Sequence, residues 1–366
     1  MTKRLKTMLY AVLIVILLVG GSVMLILNLP SFGKLPTGER LERIKRSPNY
    51  RNGEFQNLEA TIQLTSERSF LANLYQFLFT EVPEARPKQK IPVVQTDLST
   101  VEDGSLVWLG HSSYFLKLAG KSILIDPVFH AASPFSFLIR PFDATYHYKA
   151  EDIPAIDLLI ITHDHWDHLD YKTVTAIKNR VGKVLTPLGV GSHLEYWGYD
   201  PAKLVELDWQ ESVNLIDMHF TCLPTRHFSG RGLKGKQTLW GAFMLQTATQ
   251  TIYIGGDGGY GEHIRQIAKQ FPKIDLALME NGQYNEDWRY IHNLPDKLYI
   301  AMQEIGAKRY FTGHNSKFNL ARHAWYAPLE NISAIREKDR ALDIITPRIG
   351  EVVHLSDTTH HFDKWW

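Results

Sequence analysis

Residues 157–170 read Asp157-Leu158-Leu159-Ile160-Ile161-Thr162-His163-Asp164-His165-Trp166-Asp167-His168-Leu169-Asp170. An apolar run opens this stretch, and four side chains that bind metals follow it: His163, His165, Asp167 and His168. A short continuous apolar run predicts a buried strand, which puts the four on the loop at its carboxyl end. Asp170 then predicts a helix cap, ahead of a helix whose Val174 and Ile177 share one face. A short motif alone carries a false-positive risk, so its weight depends on what the rest of the chain brings to it.

The arrangement recurs along the chain. Short apolar runs bounded by turn residues predict strands over 106–110, 114–118, 121–125, 183–186, 204–207, 219–223, 242–247, 251–254, 276–279 and 309–312. Helices are predicted over 261–270 and 295–305, and around His193, Tyr196 and Trp197. Three of the later strands lead to His227, to Asp257 in Gly255-Gly256-Asp257, and to His314 in Gly313-His314. Loops at strand ends are where a rigid sheet can aim several side chains at one point. Imidazole with carboxylate suits zinc and similar divalent ions. His163, His165, Asp167, His168, His227, Asp257 and His314 are too many for one tetrahedral ion and match two ions sharing a carboxylate.

Composition narrows the classes. The chain has 366 residues and is 44% hydrophobic, enough for one large domain with appendages and too apolar for disorder. A net charge of +1 gives no electrostatic case for nucleic acid. The single cysteine, Cys222, excludes an intrachain disulfide and a cysteine-rich zinc site; it reads as a buried strand residue.

Residues 8–29 are apolar apart from Tyr10, Ser22, Asn28 and glycines. At about 1.5 Å per residue they match a hydrocarbon core of roughly 30 Å. Lys3, Arg4 and Lys6 would also suit the basic start of a cleaved signal peptide. The run exceeds a usual signal core and no Ala-x-Ala-like site follows, so an uncleaved single-pass anchor is expected over residues 1–30. Basic residues on both flanks leave the side of the membrane open. Residues 31–100, punctuated by proline, read as a linker and an arm over the domain, and residues 101–366 as the domain itself. Phe70, Leu71, Leu74, Tyr75, Phe77, Leu78 and Phe79 predict an apolar helix in the arm, packed on the domain or resting on a bilayer.

Five stretches together resemble the metallo-β-lactamase-fold hydrolases, and within them the branch of phospholipases D that hydrolyse N-acylphosphatidylethanolamine. They are Leu109-Gly110-His111-Ser112, Ile125-Asp126-Pro127, the run from Thr162 through Asp170, Gly255-Gly256-Asp257-Gly258-Gly259-Tyr260, and Gly306-Ala307-Lys308-Arg309. The resemblance spans roughly residues 40–330. It implies an α/β (α+β) αββα sandwich, here preceded by a transmembrane helix, with a site for two zinc ions (or another divalent metal) at one sheet edge. His163, His165 and His227 would hold one ion, Asp167, His168 and His314 the other, with Asp257 bridging. It further implies attack by metal-activated water on a phosphodiester. In some relatives the residue at the place of Asp164 assists protonation, which makes Asp164 a third catalytic candidate beside Asp167 and Asp257. Asp126 would orient a histidine, while His111 and His292 either flank the pocket or are structural. Asn315-Ser316 and the segment Glu280-Asn281-Gly282-Gln283-Tyr284 depart from the branch and are expected on the substrate side.

The expected function is therefore a membrane-anchored zinc phosphodiesterase that releases phosphatidic acid and an N-acylethanolamine. Its expected partners are a phospholipid substrate and the membrane, with no nucleic acid and with homodimerisation left open. Two alternatives remain: a hydrolase of another ester or of a sugar-phosphate lactone, against which the anchor argues, and a non-catalytic tethered scaffold, against which the complete ligand set argues.

Overall fold

The computed structural model describes residues 2–366, apart from the side chains of Phe70, Leu74, Phe77 and Leu78. The chain opens with α1 (Lys3–Leu27), a helix with no buried residue, long and apolar enough to cross a membrane. Next come α2 (Gly38–Arg46), a two-stranded hairpin of β1 (Tyr50–Arg51) and β2 (Glu54–Phe55), and α3 (Phe70–Phe79).

The first sheet holds β3 (Ser105–Trp108), β4 (Tyr114–Leu118), β5 (Lys121–Ile125), β6 (Ile156–Ile160), β7 (Val181–Pro187) and β8 (Leu204–Leu207), with α4 (Tyr171–Ile177) and α5 (Gly191–Tyr196) in the crossovers. The second holds β9 (Ser212–Leu215), β10 (Met218–Leu223), β11 (Ala242–Gln246), β12 (Thr251–Ile254), β13 (Leu276–Glu280), β14 (Arg309–Gly313) and β15 (Asp343–Ile345), with α6 (His263–Gln270), α7 (Pro295–Ile305) and α8 (Ala327–Lys338). The last strand, β16 (Val352–His354), returns to the first sheet beside β3. The orders are β16-β3-β4-β5-β6-β7-β8 and β15-β14-β13-β12-β11-β10-β9. Each sheet is four antiparallel strands continued by three parallel ones.

The side-chain period of two builds the layers. In β12, Ile252 and Ile254 join the core between the sheets, whereas Tyr253 joins the core under the outer helices. Leu276 and Leu278 against Ala277 and Met279 in β13, and Phe311 against Tyr310 in β14, divide the same way. Parallel strands covered on both faces are apolar throughout. In α7, Leu298, Ala301, Met302 and Ile305 are buried at helical spacing, which seats it on the second sheet. On the first sheet's outer side, Val174 and Ile177 of α4 and Leu194 of α5 are buried. The result is the αββα sandwich that the resemblance implied.

The predicted strands are all present. The additions are β1, β2, β9, β15, β16, α2 and α8. Among the described side chains of α3, Leu71, Tyr75 and Phe79 lie on one face and are exposed. For these three, packing on the domain is corrected: among the described residues nothing buries them. Phe70, Leu74, Phe77 and Leu78 of the same predicted cluster lie outside the described side chains. Elsewhere the segment before the domain is tied down. Ile44 and Phe55 are fully buried, Arg40 pairs with Glu206 and Glu195 at 2.7 Å, and the Val94 amide donates to Ile349 O at 2.8 Å.

Candidate metal centre

Four strands of the two sheets deliver the predicted ligands to one end of the sandwich. β6 leads into the loop of His163, His165, Asp167 and His168, which closes tightly because the amides of His168 and Leu169 both donate to His165 O, at 3.1 and 2.9 Å. Beyond β10 stands His227, beyond β12 Asp257, and directly after β14 His314. These seven side chains meet.

They meet as two groups. In the first, the imidazoles of His163, His165 and His227 converge: His165 Nδ1 lies 2.9 Å from His163 Nε2 and 3.2 Å from His227 Nε2. The second is mixed. His111, Asp167, His168 and His314 gather around Asp167 Oδ2, which is 3.0 Å from His111 Nε2, 3.2 Å from His314 Nε2 and 3.6 Å from His168 Nε2. Asp257 stands between them. Its Oδ2 is 3.0 Å from His314 Nε2, 3.7 Å from His227 Nε2 and 4.0 Å from His163 Nε2, and its Oδ1 is 3.1 Å from His168 Nε2.

The outer nitrogens are spoken for, which sets the tautomers. His227 Nδ1 donates to Ile291 O at 2.8 Å, and His168 Nδ1 to Asp126 Oδ2 at 2.8 Å. His163 Nδ1 lies 3.1 Å from the Thr162 hydroxyl, which itself donates to Asp126 Oδ2 at 2.6 Å. In its neutral form each of these rings would therefore turn a bare Nε2 inward, as metal-binding histidines do. His168 Nε2 and Asp257 Oδ1 are both buried, and neither makes a hydrogen bond. Unsatisfied buried polar atoms are costly; these two lie 3.1 Å apart without hydrogen-bond geometry, and a cation between the groups would satisfy both. The donor chemistry and these two orphan atoms fit divalent metal.

Charge divides the groups. Burial first, then the neighbouring imidazoles, hold His163 well below the ordinary histidine range. Burial also lowers His227 and His165. For His168 burial acts downward too, but the Asp257 and Asp167 carboxylates outweigh it and push the ring well above its usual value. His314 is raised to about 10 by Asp257 and Asp167 against the same burial. Both aspartates are held well below the carboxylate range, His168 overcoming their burial.

Three residues in this wall have left-handed backbone: His111 at φ 55°, Asp126 at 40° and His314 at 65°. Such conformations cost energy in non-glycine residues and gather at functional sites. Here two of them interlock, because the His314 amide donates to His111 O at 3.0 Å and the His111 amide to Asn315 O at 3.2 Å.

Asp164 does not join the cluster. It is buried with its carboxylate turned away, accepting from Gly230 N at 2.6 Å and Thr238 Oγ1 at 2.8 Å and meeting His193 Nε2 at 3.1 Å. Its candidacy as a proton donor is corrected: burial raises its pKa, but His193 and these donors overcome it and keep it ionised. The segment expected on the substrate side packs closely behind His314. Asn281, Asn315 and Ser316 are buried, and Asn315 Nδ2 braces the His314 loop by donating to Asn281 O and Gly313 O, both at 2.9 Å. Asp170 caps α4, accepting from Lys172 N at 3.1 Å. Sequence reasoning missed Glu280, at the carboxyl end of β13. It accepts from Gly258 N at 2.7 Å beside Asp257 and bonds His292 Nδ1 through Oε1. The strand-end rule that found Asp257 would have found it.

Residues 121–315, which carry all seven predicted ligands, match the family model described as beta-lactamase superfamily domain. The chain belongs to that superfamily. An uncharacterized protein of Mycobacterium tuberculosis is 32% identical over 331 residues, covering 88% of each chain. The N-acyl-phosphatidylethanolamine-hydrolyzing phospholipase D 1 of Caenorhabditis elegans is 26% identical over 337 residues, covering 84% of this chain and 94% of the relative. Among solved structures, the metallo hydrolase Igni18 of Ignicoccus hospitalis superposes with a TM-score of 0.52 at 19% identity, over 68% of this chain and 97% of its own. The superfamily match and the phospholipase relative together make the chain a metal-dependent hydrolase of the metallo-β-lactamase fold.

Proposed function

We propose that the chain is a membrane-anchored dinuclear zinc phosphodiesterase that hydrolyses N-acylphosphatidylethanolamine-like phospholipids to phosphatidic acid and N-acylethanolamine. Residues 1–30 serve as anchor, 31–100 as arm and 101–366 as hydrolase domain. The observation that carries this reading is one chain holding a two-group donor cluster bridged by Asp257 and two uncovered apolar elements, α1 and the Leu71-Tyr75-Phe79 face of α3. A hydrolase so equipped works on a substrate already in a bilayer.

His163, His165 and His227 would hold one ion, Asp167, His168 and His314 the second, and Asp257 both. Ions held there supply Lewis acidity and water of lowered pKa. The chain's own residues do the rest. His165 and Asp167 are the ligands left partly open to solvent, so the diester approaches over them. Asp126 fixes His168 directly and His163 through Thr162, and His111 holds Asp167. The bond from His292 Nδ1 to Glu280 Oε1 orients that ring beside His227 and His314, next to the donor cluster. Imidazole and carboxylate donors favour zinc, though they also suit iron, and plasma emission on the purified protein reads which metal is present.

The test is a panel of diacyl phosphodiesters offered to the detergent-solubilised, metal-loaded full chain, with products read by mass spectrometry. N-acylated phosphatidylethanolamine is expected to give phosphatidic acid. Failure to cleave any diacyl phosphodiester, with two metal equivalents bound, would remove the reading.

A further inference from the structure

Trp166 stands between two candidate ligands, His165 and Asp167, yet its side chain serves neither. Its indole lies edge-on to Phe32, with ring centroids 5.0 Å apart, and under the guanidinium of Arg231 at 3.9 Å. Arg231 is 4% exposed and ties two segments together. Its Nη1 donates to Asp164 O and Leu169 O of the metal loop, both at 2.8 Å, and its Nη2 to Ser31 O at 2.9 Å. Ser31 is four residues past the end of α1. Trp197 Nε1 donates to Pro30 O at 2.7 Å. The Lys34 amide donates at 3.0 Å to Nδ1 of His193, the ring that holds Asp164. Gly33 passes so close to that ring that a Cβ there would meet Nδ1 at 2.1 Å. The segment leaving the anchor is thus built onto the back of the metal loop.

Between this segment and the loop 130–137 lies a cavity of about 300 Å³. Leu29, Pro30, Ala131, Phe135, Phe137 and Trp166 give it apolar walls. The loop is preorganised: Ser133 Oγ donates to Phe135 O at 2.8 Å and accepts from Ile139 N at 3.2 Å, and Phe135 stacks on Phe137 with centroids 5.6 Å apart. Phe137 and Leu138 are nonetheless 63% and 56% exposed, an uncovered apolar rim.

We propose that this cavity holds one hydrocarbon chain of a membrane phospholipid. The place of the site argues for that occupant. One wall follows α1 directly, so a spanning α1 puts the mouth at the bilayer surface, while the opposite wall is the tryptophan of the metal loop. The size argues for it too, since the volume is at the low end of ligand sites and takes part of one chain rather than a diacyl lipid. The inference rests on the membrane-anchored phosphodiesterase reading for the position of α1, and deepens it: a chain seated against Trp166 would draw the phosphodiester of its own lipid toward His165 and Asp167.

The experiment places the full chain in phosphatidylcholine vesicles doped with phosphatidylcholine bearing a diazirine at the end of one acyl chain. After illumination, adducts are mapped by peptide mass spectrometry. Adducts are expected in α1, on residues 130–137 and on Trp166. Phe137→Asp, at an exposed position, should cut the loop and Trp166 adducts by about fivefold or more and leave those in α1 unchanged; Ala131→Trp, which fills the cavity, should do the same. Adducts confined to α1, or loop adducts that neither variant lowers, overturn the proposal. Labelling does not require hydrolysis, so the two readings fail separately. Labelled loop with no cleavage of any diacyl phosphodiester keeps the cavity's role and removes the phosphodiesterase; cleavage with an unlabelled loop does the reverse.

Discussion

The two donor groups sit side by side at one end of the sandwich and differ in how their charges are balanced. The three-imidazole group of His163, His165 and His227 has no carboxylate of its own, and its surroundings hold the rings toward the neutral form. The mixed group around Asp167 stores protons instead, with His168 and His314 raised and Asp167 lowered. One group is a set of imidazoles favoured in the neutral form, the other a set of imidazole–carboxylate pairs that favours protonated rings. A cation entering the first displaces nothing; a cation entering the second must expel protons. Asp257 touches both, so it couples two sites of unlike character.

The largest effect should come from breaking that coupling. Asp257→Ala is expected to lower metal content from two equivalents and to cut hydrolysis by more than the roughly 100-fold that losing an outer-sphere partner costs. Plasma emission on the purified variant checks this, and unchanged metal content would sink the bridging role. The next test sharpens the contrast itself. Calorimetric titration of metal into metal-free protein, in two buffers of different ionisation enthalpy at pH 7, should show proton release from the mixed group and none from the three-imidazole group. Its sign is fixed: metal competes with protons on His168 and His314, so affinity of the mixed group rises with pH, about tenfold per unit for each proton expelled. His314→Ala should leave a single binding event with little pH dependence between pH 7 and 8. Equal proton release from both events would erase the distinction.

The same contrast explains what could be read in advance. The candidate ligands were legible because each is delivered by a strand, and a strand shows itself locally as an apolar run. That rule reached His227, Asp257 and His314 although they lie far apart in sequence. It failed where information is not local. Asp164 stands between two ligands in sequence, but its direction is set by His193, Thr238 and Gly230, which only the fold brings near. The strands β15 and β16 are three residues each, too short for a period to register, and β16 pairs with β3 from the far end of the chain. The repeated four-plus-three pattern of the two sheets left no trace in the sequence, because it is a repeat of pairing directions rather than of residue types. Asn315 and Ser316 were expected on the substrate side because they depart from the branch pattern; both are buried, and Asn315 braces the turn of His314 through Asn281 O and Gly313 O.

Weaker tests act through outer partners. Asp126→Asn removes the acceptor of His168 Nδ1, and about 10- to 100-fold lower metal affinity is expected at the mixed group. Thr162→Val touches the other group, through His163 Nδ1, and should cost less, since it removes a neutral hydroxyl rather than a carboxylate. Loss of affinity at the same group in both variants would show that Asp126 and Thr162 act as one unit. The smallest effect lies outside both groups. His263 is buried, and burial, with Arg226 next in importance, lowers it to about 4. The unfolded chain therefore takes up a proton between about pH 6.5 and 4 that the folded chain refuses. Stability should fall as pH drops through that window, by up to about tenfold in the folding equilibrium per pH unit, and His263→Gln should flatten the slope in urea melts at pH 6.5 and 5. If the slope persists in His263→Gln, the acid sensitivity belongs to the donor groups instead. The imidazoles of the first group must then take up protons on unfolding, and bound metal, by stabilising the folded state, would shift the melts upward without removing the slope.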